Sequence, residues 1–355
     1  MCMLNQILEN RSVEDLVNKF SRSPLQINSL QESDAELINL PGTDMILAIT
    51  MDSIVEEIES GLYTDPYLIG WMTVMVNASD LAAVGATPFG ILIDETFLYD
   101  MNDDFNTKLQ SGIEDACLDC KMHVLGGDTN FSSRMEMTGC AIGYILNRPP
   151  MTRLGCKAGD YLFLSGKSGI GNAFALSQLK NELFPEQLAQ TYQPKSRLRE
   201  GQLLGNFATC CMDTSDGVFA TLDQLMRLNQ VGFRIDAALE NFIHAYALTV
   251  CEAARIPTWL MLAGHHGEFE LVFTVASHHV KNFLEHASQI NWEPILIGEV
   301  IEDTDIRFKY HDEIVAINTG KIRNLFAERH RDVQEYIKQL LEIDLKLRGG
   351  SHETI

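Results

Sequence analysis

Basic residues are scarce. The 355-residue chain carries 27 lysines and arginines against 49 aspartates and glutamates, a formal net charge of −22. That balance argues against nucleic acid as a partner, because phosphate backbones need a basic surface, and equally against an anionic membrane surface. No apolar run reaches the ~18 residues of a membrane span. The opening stretch, "MCMLNQILENRSVEDL", lacks the basic and apolar regions of a secretory leader. The eight cysteines are scattered rather than set out as a secreted scaffold, so reduced thiols and a cytoplasmic setting are expected. Cys117 and Cys120 form a lone CxxC, read as helix packing in preference to a zinc site.

Other signatures are also missing. Gly166-Lys167-Ser168 suggests a phosphate loop, but Tyr161 stands where that pattern needs glycine. His265-His266 and His278-His279 are adjacent pairs, which point apart on a strand and chelate poorly. No Ser/His/Asp or Cys/His nucleophile pattern, short-period repeat or low-complexity tract is visible.

A hydrophobic fraction of 46% is ample for packed cores, and 355 residues favour two domains. Apolar residues recur at helical spacing over residues 4–20, and a polar stretch follows. "MILAITMDSIVEEI" begins as a buried strand, and "DPYLIGWMTVMVNASDLAAVGA" reads as a helix started by Asp65-Pro66 and ended near Gly85. "GILIDETF" is a strand, "DDFNTKLQSGIEDACLDCKM" an amphipathic helix, "HVLGGDT" a strand entering a glycine-rich turn, and "RMEMTGCAIGYIL" a further strand. Residues 147–150, Asn-Arg-Pro-Pro, make the best linker. Beyond it, "AGDYLFLSGKSGIGNAFAL" and "CCMDTSDGVFATLDQLMRL" each read as strand, turn and helix. "GFRIDAAL", "GEFELVFTV", "PILIGEVIEDTDIRFKY" and "DEIVAINTG" supply strands before a C-terminal amphipathic helix. Both halves mix strands and helices without strict alternation, which predicts two α+β domains. The expected division is an N-terminal helix over 1–28, domains over 29–148 and 149–328, and a C-terminal helix and tail over 329–355.

Aspartates stand at the ends of several apolar runs: Asp34, Asp52, Asp80, Asp128, Asp213 and Asp216. Convergent carboxylates suit Mg²⁺, which takes oxygen ligands and commonly bridges carboxylates to phosphates. Neighbouring glycines let backbone N–H groups approach phosphate. Each aspartate taken alone also fits a cap or a turn, and spacing does not establish that they converge.

In order and approximate spacing, "ESDAELINLPG", "ILAITMDSIVEEI", "VNASDLAAVGATP", "GGDT", "RLGCKAGDYLFLSG", "MDTSDGVFATL" and "GEFELVFT" resemble the thiamine-monophosphate kinases. More broadly they resemble the superfamily of aminoimidazole ribonucleotide (AIR) synthetase, selenophosphate synthetase and the hydrogenase-maturation carbamoyl dehydratase. The resemblance runs from about residue 30 to about residue 325. It implies an AIR-synthase-like α+β fold of two domains, with the N-terminal sheet pairing across a homodimer. It implies ATP and Mg²⁺ in the cleft, held by Asp34, Thr50, Asp52, Asp80, Asp128, Asp213 and Asp216. Gly126, Gly127, Arg153 and Ser215 would contact the nucleotide, and the γ-phosphoryl would pass directly to a small-molecule acceptor, with Asp80, Asp213 and Asp216 central to the transfer. The acceptor half departs from the family. Ser33 replaces an aspartate, Glu59 stands where the family has histidine, Glu268 is the nearest counterpart of its substrate-facing acid, and Phe326 the nearest of its C-terminal aromatic. An anion at Glu59 would repel an acceptor phosphate, so thiamine phosphate is expected to be a poor substrate. Two alternatives stand beside the kinase: a sister enzyme activating an amide, carbamoyl or other oxygen acceptor with ATP, and a nucleotide-binding partner protein without turnover.

Overall fold

The computed structural model describes residues 3–179, 192–328 and 333–348. Its first half contains α1 (Leu8–Val17), β1 (Glu36–Asn39), β2 (Met45–Ser53), α2 (Val55–Glu59), α3 (Pro66–Ala83), β3 (Thr87–Leu98), α4 (Asp103–Asp119), β4 (Val124–Ser132) and β5 (Glu136–Leu146). Its second half contains β6 (Tyr161–Leu164), α5 (Ile170–Leu179), α6 (Leu198–Leu204), β7 (Ala208–Asp213), α7 (Val218–Asn229), β8 (Gly232–Ile235), α8 (Leu239–Phe242), α9 (Ala245–Ala254), β9 (Leu271–Val275), α10 (Val280–Gln289), β10 (Ile295–Ile301), β11 (Ile306–Tyr310), β12 (Glu313–Ile317), α11 (Thr319–Glu328) and α12 (Val333–Arg348).

Two separate sheets confirm the two-domain α+β architecture. The first runs β1-β2-β5-β3-β4, antiparallel except for the parallel β3–β4 pair at its edge. The second runs β12-β11-β8-β10-β6-β9-β7, antiparallel except for β11–β8.

The helix that matters most is α3. Asp65 caps it, accepting from the Tyr67 N–H at 3.2 Å, and Pro66 occupies its first turn. A helix against one sheet would be amphipathic, but α3 is apolar all round because it is covered all round. It packs on β2, β3 and β5 of its own sheet, on α4 beside it, and on α6 and β7 of the second half. From Ile69 to Ala83 every residue is buried except Asp80. Glycines allow the closest of these approaches: a Cβ at Gly70 would lie 2.0 Å from the Leu109 carbonyl oxygen, and one at Gly112 2.1 Å from that of Tyr67. So α3 is the wedge joining the halves, and its one carboxylate emerges where they meet.

Three expectations need revision. The helix expected over 4–20 is a 3₁₀ turn at Leu4–Gln6 followed by α1. "GGDT" is not a turn, because Gly126–Thr129 continue β4 in register with β3 as far as Ser132. Gly127 is needed there for packing, since a Cβ would fall 1.7 Å from the Ile93 carbonyl oxygen. "GEFE" is irregular, and its strand begins only at Leu271. Strand β1 and helices α9 and α10 carried no clear sequence signal. Cys117 and Cys120 are buried in the first core, with the Cys120 sulfur beside Met75 and Ser196. No helix among the described residues is long and apolar enough to cross a membrane.

Candidate active site

Three segments bring carboxylates to one point. Asp34 precedes β1, Asp80 leaves α3 and Asp213 ends β7; one oxygen from each lies within 4.8 Å of the others. The first two belong to the N-terminal half and the third to the C-terminal half, so the cluster sits across the domain junction. Each carboxylate is oriented by a neighbour. Thr50 of β2 donates to Asp80 Oδ2 at 2.5 Å, Ser79 donates to Asp213 Oδ2 at 2.6 Å, and Arg153 donates to Asp34 Oδ1 at 2.9 Å. Asn77 ties β2 to α3 by accepting from the Asp52 N–H at 3.0 Å. Ser79 and Asp80 are adjacent on a helix and so point about 100° apart, Ser79 to the Asp213 carboxylate and Asp80 to the Thr50 hydroxyl.

The electrostatics are those of a site short of positive charge. Burial pushes Asp80 well above the usual carboxylate range, and the charges of Asp52, Asp213 and Asp34 push it further; the Thr50 hydrogen bond opposes them. Burial and the Asp34 charge raise Asp213 to about 7, against the Ser79 hydrogen bond and the Arg153 charge. Asp52 is raised by partial loss of water, and Asp216 by burial offset by Arg323 and Arg153. On Asp34, its neighbour Ser33 and its partner Arg153, buried polar atoms lack protein partners: Ser33 Oγ, Asp34 Oδ2 and Arg153 Nε. A buried carboxylate oxygen with no donor is costly, and a cation satisfies it. Oxygen donors in this number fit a hard divalent cation.

Other sequence-predicted residues lie elsewhere. Asp128, with Gly126 and Gly127, is exposed on edge strand β4, its carboxylate accepting from Asn130 at 3.0 Å. Ser215 lies in the turn after β7, its carbonyl accepting from Gly267 at 2.8 Å. Glu268 is 3% exposed and already accepts from Ser168, the Gly169 N–H and Thr214 at 2.7, 2.7 and 3.2 Å. Those bonds hold the 165–169 turn, and burial raises its pKa to about 7. Phe326 belongs to α11, and its side chain lies outside the described residues. Glu59 is not the free anion the sequence suggested: Arg134, which also pairs with Glu136 at 3.2 Å, bonds it at 2.7 Å, which weakens the ground for expecting phosphate repulsion. His266 packs with Tyr63, Phe174 and Tyr192, kept neutral by burial with a pKa of about 3.

Residues missed from sequence are Asn77 and Ser79, polar groups beside the aspartates, and Glu57. Glu57 lines a cavity of about 430 Å³, and burial raises its carboxyl, with the charges of Glu56, Asp216 and Asp52 adding to that.

Family models match both halves: "AIR synthase related protein, N-terminal domain" over residues 32–145 and "AIR synthase related protein, C-terminal domain" over 157–311. The thiamine-monophosphate kinase of Escherichia coli K12 is 30% identical over 249 residues, which cover 68% of this chain and 74% of that protein. That of Pyrococcus horikoshii is 28% identical over 272 residues, covering 76% and 84%. Among solved structures, AaThiL complexed with AMPPCP and TMP superposes with a TM-score of 0.71 at 21% identity, covering 86% of this chain and 96% of that one. Hydrogenase maturation protein HypE in complex with ATP superposes with a TM-score of 0.64 at 17% identity, covering 89% and 97%.

Proposed function

Since the chain belongs to the AIR synthase related family and, within it, to the thiamine-monophosphate kinases, we propose that it transfers the γ-phosphoryl group of ATP to thiamine phosphate with Mg²⁺ at the domain junction. The observation that carries this reading is the convergence of Asp34, Asp80 and Asp213 from both halves, with Asp34 Oδ2 left unpartnered. These three carboxylates would hold the metal, with Thr50, Asp52 and Asp216 at the margins. When bound, Mg²⁺ neutralises phosphate charge during transfer. The chain supplies position. Thr50, Ser79 and Arg153 fix the carboxylates before any ligand arrives, which lowers the reorganisation needed at the moment of reaction. Asp128, the backbone of Gly126 and Gly127, and Ser215 are assigned to the nucleotide side. No side chain forms a covalent intermediate in this scheme.

A second copy of the chain is the expected partner. Met51 and Leu92 are exposed on the sheet face opposite the one carrying Thr50, Ile91 and Ile93, and β4 exposes Val124, Leu125 and Phe131 along an unpaired edge. Long apolar edges of this kind call for cover. A homodimer of about twice 39.8 kDa is expected by light scattering at micromolar concentration; a monomer there counts against this pairing. The unpaired cysteines among the described residues suit a reducing compartment, and we place the protein in the cytoplasm.

The activity is tested by steady-state formation of thiamine diphosphate from Mg·ATP and thiamine phosphate. Turnover of ~1 per second or faster is expected. ADP release only with a different small acceptor would assign a sister activity. Nucleotide binding without ADP release would make the protein a partner rather than an enzyme.

A further inference from the structure

Asp34 is the one carboxylate of the cluster that neither a helix nor a strand carries. It stands in irregular chain ahead of β1, and two sets of bonds hold that chain in place. The first set comes from Arg153. Its backbone N–H donates to the Glu32 carbonyl at 2.8 Å, and its guanidinium donates to the Gln31 carbonyl at 3.4 Å as well as to Asp34. The second set comes from the side chain of Gln31. Its Oε1 accepts from Gln224 Nε2 at 2.6 Å, and its Nε2 donates to the Asn10 carbonyl at 3.2 Å. Gln31 has a φ of +65°, a left-handed backbone that costs a residue with a side chain and persists where its surroundings hold it.

Gln224 lies at the centre of these bonds. It is buried in α7, and its Oε1 accepts from Asn10 Nδ2 at 2.9 Å and from Arg323 Nη1 at 3.0 Å. Arg323, on α11, also pairs with buried Asp223 at 3.2 Å. A buried amide bonded at both ends holds one arrangement and penalises others. The same helix follows Asp213 in the chain, and Thr221 on it donates to the Asp213 carbonyl at 2.8 Å. Helix α7 therefore holds two of the three carboxylates, Asp213 through Thr221 and Asp34 through Gln224 and Gln31.

Asn10 and Gln31 precede residue 32, where the N-terminal family model begins, and Arg323 follows residue 311, where the C-terminal one ends. So α1 and α11 act on the cluster from outside the matched part of the chain, without lending it a ligand. Apolar side chains of the same size would fill this space equally well. What the amides add is direction, because each bond fixes an angle as well as a distance. Mg²⁺ demands near-ideal octahedral geometry, so a carboxylate on irregular chain serves it only if that chain is held.

We propose that Gln31 and Gln224 are positioning residues for the cation site: their amide latch, anchored by Asn10 and Arg323, sets where Asp34 stands and with it the affinity of the cluster for a divalent cation. This rests on the cation site proposed above, but it is tested by binding and not by turnover. The probe is Mn²⁺ alone, the free ion being counted by electron paramagnetic resonance in the presence of the full nucleotide-free chain. Gln31→Gly relieves the left-handed backbone while removing the latch, and Gln224→Met removes it from the other side at similar volume. Each should weaken Mn²⁺ binding by about tenfold, the cost of losing an outer partner of a metal ligand. Both break the same contact, so the double variant should bind within about twofold of the weaker single variant. Gln31 is only partly buried, so Gln31→Gly should melt in chelator close to wild type, which separates lost affinity from lost structure and keeps the test available if Gln224→Met does not fold. If Mn²⁺ affinity depends on the latch while no phosphoryl group reaches thiamine phosphate, the activity reading fails and this inference stands. It is overturned if wild-type protein does not bind Mn²⁺, if Gln31→Gly binds it as wild type does, or if the two single effects multiply in the double variant.

Discussion

Asp80→Asn is expected to raise the melting temperature of the metal-free protein and to reduce phosphoryl transfer at least ~10³-fold. The two effects share one cause. Asp80 is the only charged side chain on a helix buried from Ile69 to Ala83 at every other position, and three other aspartates act on its charge. Without a cation, ionising it costs desolvation and repulsion together. Asparagine keeps the shape and still accepts the Thr50 hydrogen bond, so it removes the cost without opening a cavity. With Mg·ATP present the same change deletes a ligand at the charge being neutralised. Losing one preorganised charge interaction in phosphoryl transfer is worth about 4 kcal/mol, or ~10³ in rate. Scanning fluorimetry in chelator, beside steady-state turnover, reads both. If Asp80 serves only to finish its helix, the variant will melt no higher and will turn over normally, and that pair of results would sink the assignment.

How much of this was legible before any coordinates depended on the range of each interaction. The start of α3 was legible because Asp65-Pro66 is a local capping signal, and its buried character followed from its apolar composition. That Asp34, Asp80 and Asp213 meet was not, because each also reads as a cap or turn residue and their meeting is decided by how two sheets dock on α3. Ser79 shows the limit plainly. It sits beside the most conspicuous aspartate in the chain, yet its partner is 134 residues away. Glu59 shows the opposite error: read alone it was an anion facing a phosphate, and only the fold brings Arg134 to it from 75 residues away. The glycines of "GGDT" suggested a turn, but at Gly127 the requirement is close approach between strands, which composition does not distinguish from a bend. Buried Asp344 gave no signal because a charged residue on an amphipathic helix is ordinarily solvated; Trp259 and Tyr310 make it an anchor.

Metal-free protein should lose stability as pH rises from about 4 to about 7, and Mg²⁺ should restore it increasingly over the same window. Asp213 carries the quantitative part, being 2% exposed. Its carboxyl is raised from the ordinary 3.8 to about 7. A raised acid binds its proton more tightly in the folded chain than in the unfolded one. Below about pH 4 both states are protonated and nothing is lost. Between about 4 and 7 the unfolded chain ionises first, so folding becomes less favourable with each pH step, and above the folded value the loss levels off. Three units correspond to a loss on the order of 4 kcal/mol. Asp80, raised well above the usual range by burial and its aspartate neighbours, carries the same sign to higher pH. Surface acids paired with arginine oppose this slope, so the measurement is a difference: chemical denaturation of wild type against Asp213→Asn at each pH in chelator. The wild type should lose stability relative to the variant as pH rises, and the gap should narrow or reverse when millimolar Mg²⁺ is added, because the cation takes the proton's place. Uptake of Mg²⁺ near pH 6 should therefore release protons, visible as a calorimetric heat that depends on the ionisation enthalpy of the buffer. Parallel pH profiles for wild type and variant, with no proton release, would mean that these carboxylates are already ionised without metal and that the cluster is not the cation site.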